Sequence, residues 1–169
     1  MRSNECEPAL VEGGGGKTSF SGPALSELLR AVLDKGVPFR FRANGFSMSP
    51  FIRDGDVVTV SPLFGAAPHL GDVVALIQPG SSKLIIHRVV GGKDSSYMIR
   101  GDNVSKEDGL VSIENILGFV TKVQRNGKRV AVGFGRERIL IALLNRGGLL
   151  TPLLTATRKL LPLFIKRLF

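Results

Sequence analysis

The sequence predicts a mainly β fold, with one amphipathic helix before the β region and a basic helical tail after it. Three observations indicate this: apolar residues recur every three or four positions near the N-terminus, alternate in short segments through the middle, and return to helical spacing near the C-terminus. The 169 residues are enough for one domain with one core. Hydrophobic residues make up 43% and charged residues 22%, which excludes a wholly disordered chain.

The N-terminal part divides into a leader and a helix. Residues 1–22 are polar and acidic and then glycine-rich, a composition that buries too little apolar surface to offset chain entropy, and they predict a flexible leader. From Pro23 onward the apolar residues follow helical spacing, and Gly36 predicts the end of this helix.

The middle of the chain is predicted to form β-strands. Its short segments are rich in Val, Ile and Phe, follow a period of two, and are separated by Gly, Pro, Asn or Asp. Several short strands at intervals of about ten residues predict a closed or coiled sheet, with loops at the strand ends available to hold a site. Residues 23–135 are therefore predicted to form one domain. The predicted strands cover residues 39–42, 56–60, 72–77, 83–90, 97–100, 116–124 and 128–132.

The net charge of +9 belongs to the C-terminal tail, residues 136–169, and the segment just before it. Residues 1–120 carry 12 Lys and Arg against 13 Asp and Glu, whereas residues 121–169 carry 11 basic residues and only Glu137. A basic amphipathic helical tail favours an anionic membrane surface, with docking on the β core or a partner protein as the alternative. Nucleic acid is not expected as a partner, because Leu and Phe dominate the tail and no aromatic stacking platform is evident.

Metal and cofactor chemistry find no support in the sequence. Cys6 is the single cysteine, and the two histidines, His69 and His87, stand apart without any H-E-x-x-H or C-x-x-C pattern around them. We therefore expect chemistry that needs neither a metal ion nor a cofactor.

One set of residues has the composition of a serine nucleophile site. Ser47 follows Gly45-Phe46, where glycine permits tight backbone approach, and Pro50 stiffens the exit from the turn. His87 lies in a predicted strand whose alternation places Lys83 on the same face, so two potential bases point the same way. Asp102, in a turn-forming Gly-Asp-Asn, supplies a carboxylate for the second imidazole nitrogen.

These residues carry a family resemblance. The sequence resembles the core of a type I signal peptidase, of the superfamily shared with self-cleaving SOS-type repressors. Four blocks carry it in order: GFSMSP at 45–50, Gly71-Asp72-Val73-Val74, HRVV at 87–90 and GDNVSKED at 101–108. Histidine before Arg-Val-Val is similar to the endoplasmic-reticulum and archaeal subgroup, in which a Ser–His pair is assisted by aspartate. The resemblance implies a largely antiparallel β core that hydrolyses peptide bonds.

The resemblance also implies roles for the site residues. Ser47 corresponds to the nucleophile and His87 to the base; Asp102 is the third member of the set, with Asp108 as the competing or supporting carboxylate. Many relatives place serine two residues before the nucleophile, but this chain has Gly45 there, so backbone N–H groups must hold the oxyanion. The residues expected around the oxyanion and the substrate are Gly45, Phe46, Met48 and Pro50.

The function expected from these features is serine endopeptidase activity on the leader or signal peptide of a precursor protein, at the cytoplasmic membrane, with the protein bound peripherally or monotopically. Two alternatives stay open. One is a soluble repressor-type protease or a maturation protease with one dedicated precursor. The other is a membrane-associated adaptor that keeps the same fold and binds peptides without cleaving them. Lys83 remains a fallback base for the enzymatic readings.

Overall fold

The computed structural model describes residues 9–13, 16–20, 22–81, 83–104 and 109–156. A short 3₁₀ turn at Ile113–Asn115 joins two of the strands. In chain order the other elements are β1 (Ala9–Gly13), β2 (Gly16–Phe20), α1 (Gly22–Asp34), β3 (Phe39–Arg42), β4 (Val57–Pro62), β5 (Val73–Ile77), β6 (Leu84–Lys93), β7 (Ser96–Arg100), β8 (Leu110–Ser112), β9 (Ile116–Arg125), β10 (Lys128–Arg129), α2 (Arg138–Arg146) and α3 (Leu150–Ala156).

One antiparallel sheet forms the body of the protein and confirms the prediction of a mainly β fold. Its strands lie in the order β3-β4-β9-β5-β6-β7-β8, and β10 pairs with β9. The sheet is open and not closed, which corrects one of the two predicted forms: β3 lies at one edge and β8 at the other, because the spacing of strands in sequence does not determine whether the edge strands pair. Strand β5 lies near its centre, and four of its five residues are buried because both faces of this part of the sheet are covered.

Helix α1 covers one face of the sheet. Its predicted apolar stripe is confirmed, since Leu25, Leu29 and Leu33 recur every four residues and are all buried, with Leu29 fully so. These leucines share a core with strand residues that include Phe39, Val58, Val73, Ala75, Leu84 and Val123. The opposite face has a second apolar cluster, made of Val74, Leu76, Val89, Ile99, Val111 and Ile116.

The segment predicted as a flexible leader differs from that prediction. Within residues 1–22, β1 and β2 pair as an antiparallel hairpin, with Ala9 opposite Phe20 and Gly13 opposite Gly16. Strand β1 also lies beside the edge strand β3. Amino-acid composition indicates only how much side-chain surface a segment can bury. A hairpin beside a sheet edge is ordered by backbone hydrogen bonds instead. Residues 1–8 lie outside the described residues.

The start of the predicted tail belongs to the β domain. Helix α2 packs against β6, and its Ile141, Ala142 and Asn145 are buried. Ile141 forms a third apolar cluster with Phe51 and with Leu150 of α3. The predicted boundary at residue 135 is therefore not the end of the packed domain, because the face of α2 that carries Ile141, Ala142 and Asn145 is buried. Residues 157–169 lie outside the described part of the chain.

The helices can be compared with the length and apolar character that a membrane span requires. In the described residues no single helix is both long and apolar enough to cross a bilayer. Taken together, α2 and α3 meet the length and composition criteria, but the chain bends by 107° between them.

The docking of α2 predicts a contrast between two apolar residues on the same helix. Ile141→Ala should lower the free energy of unfolding by about 2–4 kcal/mol, because Ile141 is 7% exposed and its side chain fills the cluster with Phe51. Leu143→Ala should change it by less than about 0.5 kcal/mol, because Leu143 is 51% exposed. Urea denaturation followed by circular dichroism measures both, and equal effects would contradict this packing.

Candidate active site

Ser47 lies in the loop that joins β3 to β4. Gly45 adopts a φ of 92°, which favours glycine, and its N–H donates to Asp54 Oδ1 at 2.9 Å. The carbonyl of Met48 accepts from the N–H of Phe51 at 3.1 Å, so the segment after Ser47 coils into a turn. Met48 is buried in the core and Ser47 is half-buried, which leaves the serine at the boundary between core and solvent.

The candidate base approaches this loop from β6. His87 is buried, lies on β6 opposite Val74 of β5, and projects its Nε2 atom toward Gly101. A Cβ atom added to Gly101 would lie 2.7 Å from the Ser47 carbonyl oxygen and 2.9 Å from His87 Nε2. Both distances are measured from the same position. The Ser47 carbonyl, the His87 imidazole and Gly101 therefore lie close together. Only glycine leaves room for this approach.

Asn103 fastens the loop that carries Ser47. Its N–H donates to the Ser47 carbonyl at 2.7 Å, and its side-chain Nδ2 donates to the Phe46 carbonyl at 3.2 Å. The sequence analysis did not assign Asn103 a role, although it stands in the same Gly-Asp-Asn block as Asp102. The two hydrogen bonds fix the two peptide groups that flank Ser47.

The backbone around Ser47 offers hydrogen-bond donors. Within the described part of the chain, the N–H groups of Ser47 and Met48 donate to no other group, whereas that of Ser49 donates to the Phe46 carbonyl at 3.0 Å. Two adjacent amides beside a serine hydroxyl are the kind of donor pair that holds an oxyanion. They stand where the sequence analysis required backbone donors in place of a serine side chain.

Asp102 is held by Arg88. Arg88 Nε donates to Asp102 Oδ1 at 2.8 Å and Nη2 donates to Oδ2 at 2.7 Å, and both side chains are fully buried. Arg88 Nη1 also donates to the carbonyls of Gly71 and Gly133, each at 2.9 Å. The guanidinium carbon lies 5.5 Å from the centre of the Phe51 ring. The sequence analysis noted Arg88 only as part of a motif, and its partner is the aspartate expected to face His87.

Helix α2 contributes Asn145 to the same network. Asn145 Nδ2 donates to the carbonyl of Gly101 at 3.2 Å and to Asp102 Oδ1 at 3.1 Å. The Asn145 carbonyl accepts from Arg100 Nη1 at 2.9 Å. A residue of the predicted tail thus holds the glycine that separates Ser47 from His87. No sequence signal pointed to Asn145, because polar residues at helix ends are common.

The remaining site residues of the sequence analysis fall in three places. Phe46 is 66% exposed beside Ser47. Pro50 follows a cis peptide bond, and its carbonyl accepts from Arg125 Nη2 at 3.2 Å. Lys83 is exposed just before β6. Asp108 lies outside the described residues.

The surroundings of the site contain other ionisable groups. In the chain as described, no three His, Cys, Asp or Glu side chains lie close enough to hold a metal ion. Asp72 accepts from the His69 N–H at 2.8 Å and pairs with Arg138 of α2 at 2.7 Å. Hydrogen bonds from its own backbone N–H and from those of Gly133 and Gly135 lower the pKa of Glu137 at the start of α2.

Comparison with known proteins adds no family to this geometry. A scan against protein-family models finds no match, and a search of curated proteins finds no relative.

The buried ion pair predicts a double-mutant result. Arg88→Met should lower the free energy of unfolding by about 3–5 kcal/mol, because it leaves the Asp102 carboxylate buried without its cation. The double variant Arg88→Met with Asp102→Leu should recover a large part of that loss, since no unpaired charge remains. Chemical denaturation of the wild type, both single variants and the double variant measures the coupling, and strict additivity would contradict it.

Proposed function

We propose that the protein is a serine endopeptidase of the signal-peptidase type, acting on a leader or signal peptide of a precursor at a membrane surface. One observation carries the proposal: the Ser47 carbonyl oxygen and His87 Nε2 lie 2.7 and 2.9 Å from the same position, the one that a Cβ atom on Gly101 would take. A serine beside a buried imidazole, with unused backbone N–H groups next to it, is the set of groups that acyl transfer requires.

The chemistry proceeds in two stages. Ser47 Oγ attacks the scissile carbonyl carbon while His87 accepts the hydroxyl proton, and His87 returns that proton to the amine as the peptide C–N bond breaks. Water then attacks the acyl-serine ester with His87 as base, which releases the acid and restores the hydroxyl. The amides of Ser47 and Met48 stabilise the oxyanion in both stages, a contribution of about 3–4 kcal/mol per donor in a serine protease.

A strand edge next to His87 suits an extended substrate. In β6, residues 84–87 pair with β5, whereas pairing with β7 starts only at Arg88 opposite Arg100. Among the described residues, the other edge of this stretch carries no strand. A peptide that adds to the edge as a strand gains main-chain hydrogen bonds and presents its carbonyl groups toward His87 and Ser47. This supports a polypeptide substrate whose side chains are read by few pockets.

The two aspartates of the sequence analysis have separable roles under this proposal. Asp102 gives both carboxylate oxygens to Arg88 and one of them also to Asn145, so its charge is balanced by the guanidinium. Under this proposal it positions β6, on which Arg88 directly follows His87. Asp108 remains the competing carboxylate for direct orientation of the imidazole.

The proposed location rests on a group of exposed apolar side chains on α2 and α3 that we call the apolar row. Its members are Ile139, Leu140, Leu143, Leu149 and Leu153, each between 47% and 60% exposed. Clustered exposed leucines mark an interaction surface, and the basic residues Arg158 and Lys159 follow directly in the sequence. A membrane interface accommodates both features, with the leucines in the acyl region and the cations at the headgroups.

Covalent labelling tests the nucleophile. The wild type, incubated in lipid with a panel of serine-reactive phosphonate and β-lactam probes, should gain one adduct by intact mass. Ser47→Ala should abolish the adduct, and His87→Ala should slow its formation by at least about 100-fold. Thermal unfolding of each variant controls for folding. If folded wild type forms no adduct, or if Ser47→Ala still labels, the peptidase proposal fails and the peptide-binding adaptor is preferred.

The same assay separates the two aspartates. Asp102→Asn should lower the melting temperature, because a neutral amide leaves the buried Arg88 cation without its counter-charge. Asp108→Asn should slow labelling by at least about tenfold at an unchanged melting temperature if this carboxylate orients the imidazole. Slower labelling in Asp102→Asn without any loss of stability would instead make Asp102 the orienting residue.

Vesicle binding tests the location. Replacing Leu140 and Leu143 of the apolar row by Gln should weaken co-sedimentation with lipid vesicles by about tenfold or more, since each leucine contributes buried apolar area. A matched control replaces Val37 and Phe64, which are 52% and 78% exposed elsewhere on the molecule, by Gln. Equal losses in the two double variants would contradict the assignment of the apolar row.

A further inference from the structure

Asn103 donates two hydrogen bonds, and both end on carbonyl groups of the peptide units that flank Ser47. Its side-chain Nδ2 donates to the Phe46 carbonyl at 3.2 Å, and its N–H donates to the Ser47 carbonyl at 2.7 Å. The opposite ends of the same two peptide units are the N–H groups of Ser47 and Met48. These are the two amides to which the proposed function assigns the oxyanion. One residue therefore holds both units at their carbonyl ends.

The planarity of the peptide group turns these contacts into a direction for each amide. In a trans peptide unit the C=O and N–H bonds point in opposite directions. Both units that flank Ser47 are trans, since in the described part of the chain the cis bond is the one between Ser49 and Pro50. Because both carbonyls point toward Asn103, the N–H groups of Ser47 and Met48 both point away from it.

The candidate base lies on the carbonyl side of this loop. The position of a Cβ atom on Gly101 is 2.7 Å from the Ser47 carbonyl oxygen and 2.9 Å from His87 Nε2, so that oxygen faces the region of the imidazole. The Met48 N–H, at the other end of the same peptide unit, points away from it. Acyl transfer at a serine requires this separation, because the base serves the leaving group on one side of the reacting carbonyl and the oxyanion forms on another.

We propose that Asn103 is a positioning residue for the oxyanion site, and that it acts by holding the carbonyl ends of the two peptide units whose N–H groups bind the oxyanion. The inference rests on the proposed function and deepens it. A hydrogen bond accepted by a carbonyl also polarises its peptide unit and strengthens the donor at the other end. Gly45 supplies no side-chain donor to this site, so the orientation of the two amides decides how well the oxyanion is held.

The contribution of Asn103 to the stability of the fold is expected to be small. Asn103 is exposed, so water replaces its bond to the Phe46 carbonyl at a cost of about 1 kcal/mol or less. The N–H of Ser49 also donates to that carbonyl, at 3.0 Å, and this bond does not depend on the side chain of Asn103. Variants at this position should therefore fold, whereas their Ser47 amide is held less precisely than the roughly 0.5 Å that a catalytic group requires.

The experiment compares acylation of Ser47 by an oxygen ester and by its sulfur analogue. The probes are p-nitrophenyl acetate and O-p-nitrophenyl thionoacetate, in which sulfur, a weak hydrogen-bond acceptor, replaces the reacting carbonyl oxygen. In both reactions Ser47 Oγ bonds to the acyl carbon, p-nitrophenolate leaves and His87 accepts the hydroxyl proton. Release of p-nitrophenolate gives the rate, and intact mass with Ser47→Ala as the blank identifies the acylated residue.

The ratio of the two rates reports the oxyanion site. The wild type should prefer the oxygen ester by about 100-fold, and Asn103→Ala and Asn103→Asp should each lower this preference by about tenfold, because both lack the Nδ2 donor. Asn103→Gln keeps an amide donor at an exposed position and should retain most of the preference. The matched control is Ser81→Ala, which removes another exposed side chain that donates to the backbone of a turn, at the Gln78 carbonyl, and should leave the ratio unchanged.

The outcomes separate this inference from the peptidase proposal. A loss of folded protein lowers both rates equally and leaves their ratio unchanged. If the wild type acylates Ser47 and the ratio in Asn103→Ala and Asn103→Asp equals that of the wild type, the positioning role is overturned while the peptidase proposal stands. A change only in the ester concentration at half-maximal rate makes Asn103 a substrate contact and also overturns the role. If Ser47 of the wild type is not acylated, the proposed function and this inference fail together.

Discussion

Arg88 and Asp102 lose all contact with water, and a charge in that position must be paired or it destabilises the fold by several kcal/mol. Arg88 meets this requirement with three segments at once: the aspartate after β7, the Gly71 carbonyl before β5 and the Gly133 carbonyl before α2. None of these segments can shift without unpairing a buried group. The histidine that precedes Arg88 therefore sits on a strand whose position is fixed from several directions.

The network continues from this pair to the loop that carries Ser47. Asn145 joins α2 to Gly101 and Asp102, and Asn103 joins the same loop to the backbone of Phe46 and Ser47. The serine itself belongs to a loop, and loops need such supports to hold a side chain in a reactive position. Most of the polar groups described around Ser47 thus hold backbone segments in place.

The sequence predicted the positions of the strands and helices far better than the contacts between them. Period-two segments located β3, β5 and β6 to within one or a few residues, and the leucine stripe located α1, because these patterns are local. The Ser47 carbonyl oxygen and His87 Nε2 both lie beside Gly101, whereas their pairing for catalysis stays a prediction. The partners of Asp102, which are Arg88 and Asn145, were missed. They lie 14 and 43 residues away in sequence, and the alternation of apolar and polar residues does not indicate which segments become neighbours. The leader hairpin was missed because backbone hydrogen bonding cannot be inferred from amino-acid composition.

Asn145 has a further consequence for how the protein matures. Its partner Gly101 is 44 residues earlier in the chain, so a ribosome that adds about 5–20 residues per second makes the loop several seconds before the helix that supports it. During that interval the Gly101 carbonyl has no amide from α2, and the separation of Ser47 from His87 is less constrained. Under the proposed function, activity that depends on this spacing begins only when α2 has docked, so the nascent chain is not yet a peptidase during that interval.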